Sequence, residues 1–230
     1  MNEETTSPGW SALAALLVLP LATGLLAMIA LQHLPIRQSG VIALAMTLQE
    51  IAAFLLYALF AQGRGWPSLR QRFAPVSRQA MAVALGAALA VKAIPAALVA
   101  LVMELGADFP DPPDDPLLAS NLIGLLALLP AAALLGPAWE ELLFRGLLLD
   151  RLRRHLPVWA AVLLSALLFS LVHDNHFSLA LTGLLFFLER FVIGVVAALL
   201  VLRYRSLVPA FLFHAANNAL TEVAAALIPS

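Results

Sequence analysis

The chain contains no cysteine. Disulfides, thiolate metal sites and a cysteine nucleophile are therefore excluded. Charge is scarce as well: 12% of the 230 residues are Asp, Glu, Lys or Arg, where a soluble domain carries about 25%. There is no internal repeat, no low-complexity tract and no stretch with the composition of a soluble domain. The first ten residues hold Glu3 and Glu4 but no Lys or Arg, so they lack the basic region that opens a secretory signal. The first apolar stretch is expected to be kept as a membrane span. The net charge of −1 says little, because here the distribution of charge matters more than its sum.

What the chain has in excess is apolar surface: 62% of its residues are hydrophobic, against about 45–50% in a soluble domain. That excess must meet lipid. A membrane helix needs about 20 apolar residues, and seven segments are candidates: Ser11–Leu31, Gly40–Gln62, Ala80–Met103, Leu118–Leu135, Val158–His173, Leu179–Leu202 and Leu207–Leu227. The fourth can continue through Leu149 as one long helix kinked near Pro130 and Pro137, or split into two and make eight. The expected fold is an all-α, polytopic transmembrane helix bundle of about seven to eight spans, in a single membrane-embedded domain over residues 1–230.

The loops give an orientation. Numbered by alternation, the loops after spans two, four and six share one side and carry Arg64, Arg70, Arg72, Arg78, Arg151, Arg153, Arg154, Arg203 and Arg205. The other side has Arg37 and an acidic loop with Glu104, Asp108, Asp111, Asp114 and Asp115. Cytoplasmic loops are enriched in Lys and Arg, so the N-terminus is expected inside and the C-terminus outside.

Ionisable groups inside spans are costly and usually mark function. Glu50, Lys92, Glu140, Glu141, Arg145, His173, Glu189, Arg190, His214 and Glu222 all fall there. Glu141 and Arg145 are four apart on one helix face and can pair. Glu140 is turned from Glu141 by roughly 100° and has no partner on its own helix. Desolvation of such a lone carboxylate prepares it to act as a general base near neutral pH. The bland reading is an interhelical ion-pair network of Glu140, Glu141 and Arg145. His173 ends an apolar run with Phe169 one turn below it; alone, it reads equally as an interfacial histidine capped by water. His214 and Asn218 share a face and can donate two hydrogen bonds to an oxyanion, or merely join two helices. A base, two histidines and an amide on three spans are the convergence that a catalytic site requires.

In that order, Glu-Glu-x-x-x-Arg (Glu140, Glu141, Arg145), Phe-x-x-x-His (Phe169, His173) and His-x-x-x-Asn (His214, Asn218) resemble the motif set of the CPBP intramembrane proteases. These are CAAX-processing and bacteriocin-processing enzymes and include the type II CAAX prenyl endopeptidases. The run Arg203-Tyr204-Arg205-Ser206-Leu207-Val208-Pro209-Ala210 is similar to the family's lead-in to its last motif. The resemblance spans about residues 118–220, the expected catalytic core; Glu189-Arg190 departs from it. It implies an endopeptidase that activates water without a covalent intermediate. Glu140 would be the general base, His173 would orient and help deprotonate the water, and His214 and Asn218 would hold the oxyanion. Glu141, Arg145 and Phe169 would support them. No cofactor is expected. Zinc is the alternative, because two His with two Glu can bind it, although no His-Glu-x-x-His helix is present.

The expected partners are a membrane-associated peptide or protein substrate and the lipid bilayer, with no nucleic acid. The expected location is a bacterial inner (plasma) membrane. One competing function is a non-catalytic peptide-binding protein of bacteriocin immunity. Another is a small transporter using Lys92, Glu50 and the Glu189/Arg190 pair as a relay, though transporters often show repeats. Straight helices rising about 1.5 Å per residue do not bring the three motifs to one depth; tilt, a kink at Pro137 or a water-filled cavity must do so.

Overall fold

A computed structural model describes residues 8–33, 38–62, 64–104, 129–173 and 181–227. Among these the chain is all-α, with eight helices. They are α1 (Trp10–Leu31), α2 (Gln38–Ala61), the single turn α3 (Leu69–Arg72), α4 (Arg78–Glu104), α5 (residues 130–152), α6 (Val158–His173), α7 (Leu181–Tyr204) and α8 (Val208–Leu227). Four stretches are long and apolar enough to cross a bilayer: Trp10–Leu31, Gly40–Ala61, Arg78–Ala97 and Gly183–Tyr204. Val158–His173 is a shorter apolar helix. The large apolar side chains on their outer faces are exposed, among them Leu26, Leu55, Leu89 and Leu199. Helices closed on their own hydrogen bonds, with apolar residues turned outward, suit lipid and not water. The chain is an integral membrane protein.

Residues 118–128 of the expected fourth span, and the acidic residues Asp108, Asp111, Asp114 and Asp115, lie outside the described residues. From residue 130 the chain is helical without a break to residue 152. The alternative of two shorter helices therefore does not apply to that stretch. Its regularity is interrupted differently: π turns at Pro130–Leu135 and Leu142–Leu148 flank an α-helical centre, Gly136–Glu141. Pro137 has no N–H and its ring crowds the preceding turn. The wider turn before it, where Gly136 donates to the Ala131 carbonyl, leaves room for that ring. A Cβ at Gly136 would come within 3.1 Å of the Ala131 carbonyl oxygen, so the tight spot is occupied by the residue without one.

Helix α5 is the axis of the core. Every residue from Glu141 to Leu147 is buried. Leu142, Phe144 and Leu147 pack with Tyr57 of α2, Ala84 and Ala88 of α4, Phe169 of α6, Ala197 of α7 and Phe213 of α8. The carbonyl of Phe144 accepts a hydrogen bond from Ser165 at 3.1 Å, and that of Ala132 one from Asn218 at 2.8 Å. Both carbonyls lie in π turns, where the backbone is locally opened to side chains of other helices. Helices α6 and α7 cross closely at Gly194, where a Cβ would meet the Ala166 Cβ at 2.8 Å.

The basic segments meet at one end. Arg72 pairs with Asp150 at 2.6 Å, and its carbonyl accepts from the Leu207 amide at 2.9 Å. Ser206 donates to the Ala74 carbonyl at 2.7 Å and accepts from the Val208 amide, starting α8. Arg205 before it takes the left-handed conformation, with φ of 54°, that reverses the chain between α7 and α8. Arg151 covers the Trp10 ring at 5.5 Å, so the start of α1 lies at this same end.

Candidate active site

Three helices bring the motif residues together. The α-helical centre of α5 carries Glu140 and Glu141, the last residue of α6 is His173, and α8 carries His214. The Oε2 atom of Glu140 lies 3.2 Å from His173 Nε2 and 3.5 Å from His214 Nε2. Neither contact is aligned as a hydrogen bond, and this buried oxygen accepts none from the described residues. The carboxylate that has no partner on its own helix is thus faced by two imidazoles from others. The three motifs do come to one level, since both histidines lie within 3.5 Å of the same Glu140 oxygen.

Each imidazole is fixed through its other nitrogen. His173 Nδ1 donates to the Phe169 carbonyl at 2.8 Å. A carbonyl can only accept, so Nδ1 carries the proton and Nε2 is turned to Glu140. His214 Nδ1 donates to Glu141 Oε1 at 2.9 Å. The same oxygen accepts from Arg145 Nη1 at 3.0 Å. Glu141 and Arg145 are both completely buried, and an ion pair taken out of water holds only if its partners stay in place. The predicted pairing of Glu141 with Arg145 is therefore found. The bond from Glu141 to His214 was not legible, because it depends on how α8 docks against α5.

Phe169 sits at the centre of the cluster. Its ring centroid is 4.3 Å from that of His173 and 5.5 Å from that of His214. The Arg145 guanidinium lies over the same ring at 4.3 Å, a cation–π contact that partly compensates its burial. Phe144 packs edge-on against Phe169 at 5.3 Å.

Asn218 comes to the same helix but by a different bond. Its amide donates to the Ala132 carbonyl, in the π turn before Glu140. Among the described residues it makes no hydrogen bond to Glu140, His173 or His214. Glu189, the departure from the motif pattern, pairs with Lys92 at 2.5 Å and ties α7 to α4. One group the motifs do not name also reaches the site. Glu50 of α2, visible in the sequence only as a costly charge, is buried, and Phe54 one turn along packs against Trp139, next to Glu140, at 5.8 Å.

Among the described residues, no group of three or more His, Asp or Glu is arranged to hold an ion.

No curated protein and no solved structure matches the chain significantly. A family model does: residues 122–220 match the one described as "Type II CAAX prenyl endopeptidase Rce1-like". The matched segment contains all three motifs and every side chain of the Glu140 cluster except Glu50. Over that segment, the chain is similar to the Rce1-like type II CAAX prenyl endopeptidases.

Proposed function

We propose that this chain is a glutamate-dependent intramembrane endopeptidase that hydrolyses peptide bonds of a membrane-associated peptide or protein without a metal ion. What carries it is the convergence of two histidine Nε2 atoms, from α6 and α8, on one Glu140 oxygen with unmet acceptor capacity. A water held by Glu140 and His173 is the nucleophile. Glu140 takes its proton as the water oxygen bonds to the substrate carbonyl carbon. That proton, passed through Glu140 or His173, goes to the leaving amine as the C–N bond breaks.

The developing oxyanion needs donors. His214, held through its Nδ1–H by Glu141, turns its Nε2 to the substrate carbonyl. Asn218 gives one amide hydrogen to Ala132 and keeps its second for the substrate. The protein works in a plasma membrane with its N-terminus on the cytoplasmic side.

The test is cleavage by purified protein in liposomes of fluorogenic membrane-inserting peptides, with and without a prenylated C-terminus. Glu140→Gln should abolish cleavage while expression and folding stay near normal, because Gln keeps the shape but takes no proton. Purified protein should contain no stoichiometric zinc and stay active after metal-free dialysis. Retained turnover in Glu140→Gln would sink the general-base role. Stoichiometric zinc lost together with activity in His173→Ala and His214→Ala would sink the metal-free mechanism.

A further inference from the structure

Glu50 is a buried carboxyl that the proposed mechanism does not use. It is 3% exposed and lies on the inward face of α2 with Ala53 and Tyr57, which are 0% and 1% exposed. Phe54, one turn along from it, packs edge-on against Trp139 at 5.8 Å, the residue before Glu140. This contact holds the Glu50 turn of α2 beside the Glu140 turn of α5. One Glu50 oxygen accepts a long bond from Gln49 at 3.4 Å, and the other has no partner among the described residues.

The groups around Glu50 can be named element by element. Helix α1, packed along α2, contains no ionisable residue. The π turn Pro130–Leu135 contains none either. The centre of α5, packed against α2, carries Glu140. His173 of α6 faces Glu140, and α1, this π turn, the centre of α5 and α6 contain no Lys or Arg. A carboxyl buried with no cation beside it among the described residues costs less as the neutral acid than as an anion.

We propose that Glu50 is a positioning residue of the active site, present as a neutral carboxylic acid whose hydroxyl donates a hydrogen bond toward Glu140. A neutral acid at this place satisfies its own burial and adds a donor, where a second anion would compete for the histidines. It also keeps the Glu140 carboxylate turned to His173 and His214. The inference rests on Glu140 being the base.

The protonation is read first, from the protein itself. The infrared difference spectrum of wild type minus Glu50→Gln, in detergent at neutral pH, should contain the C=O stretch of a protonated carboxyl. A carboxylate band in its place would overturn the proposal. Activity gives the second reading. Glu50→Gln should stay within about threefold of wild type with an unchanged pH profile, because Gln keeps an N–H donor there. Glu50→Leu, at wild-type thermal stability, should lose about 10- to 100-fold in kcat with little change in KM, the loss of one hydrogen bond to a charged group. A stable and fully active Glu50→Leu would reduce Glu50 to filler. A lost limb in the pH profile of Glu50→Gln would instead make it a proton carrier and overturn the neutral-donor role. If Glu140→Gln is active, the function proposal fails, but the infrared result still stands on its own.

Discussion

Replacing Glu141 with alanine removes the single oxygen that holds both Arg145 and His214. Arg145 is completely buried, and its Nε and Nη2 already lack partners among the described residues. Without Glu141, Nη1 loses its partner too, and the ring of Phe169 at 4.3 Å is the main compensation left. Breaking one half of a buried pair costs about 3–5 kcal/mol. A cation–π contact of about 2 kcal/mol does not make that up. Stability of a domain is about 5–15 kcal/mol in total, so the loss is a large share. At about 2–4 °C per kcal/mol for a chain of this size, the midpoint of thermal unfolding in detergent should fall by about 6–20 °C. Arg145→Ala should behave similarly. The double change Glu141→Leu with Arg145→Met should be milder than either single change, since no charge is left stranded. Activity should fall in all three, because His214 loses the bond that orients it. A Glu141→Ala protein as stable as wild type but inactive would refute the supporting role and make the pair catalytic.

Asn218→Ala should lower kcat by about 10²–10³-fold, the usual effect of losing one oxyanion donor. A loss of only a few-fold would leave Asn218 as a helix joint to Ala132. At Gly194 the added Cβ would sit 2.8 Å from that of Ala166; Gly194→Ala should cost about 1–3 kcal/mol through overpacking, read as a lower unfolding midpoint, while Gly86→Ala, with nothing within 4 Å, should be neutral. Reporter fusions at Ser230 and in the Asp108–Asp115 loop should both report the outer face. A cytoplasmic signal from Ser230 would mean a miscounted crossing.

The sequence by itself determined the solvent and the class of structure. With 62% hydrophobic and 12% charged residues, the chain must face lipid, and apolar runs of about 20 residues select helices, whose backbone bonds close within each segment. It also singled out the candidate side chains. Glu140, His173, His214 and Asn218 were legible because polar groups in apolar spans are expensive and stand out, and because three short motifs follow one another in order. The Glu141–Arg145 pair was legible for a local reason, since residues four apart share a helix face. What lay beyond the sequence depends on how the helices dock. Only the packing of α8 against α5 gives Glu141 a second partner in His214. Only the fold sets Asn218 against a π-turn carbonyl, finds Lys92 for Glu189, and brings Glu50 to the side of Glu140. The π turns in α5 were not readable either: Pro137 announces a disturbance, but whether it yields a break, a kink or a wider turn is decided by neighbours that pack around it. Motif spacing records which side chains share a helix face, whereas the distances between helices are set by residues such as Gly194 and Phe169, whose effect exists only once the bundle has closed.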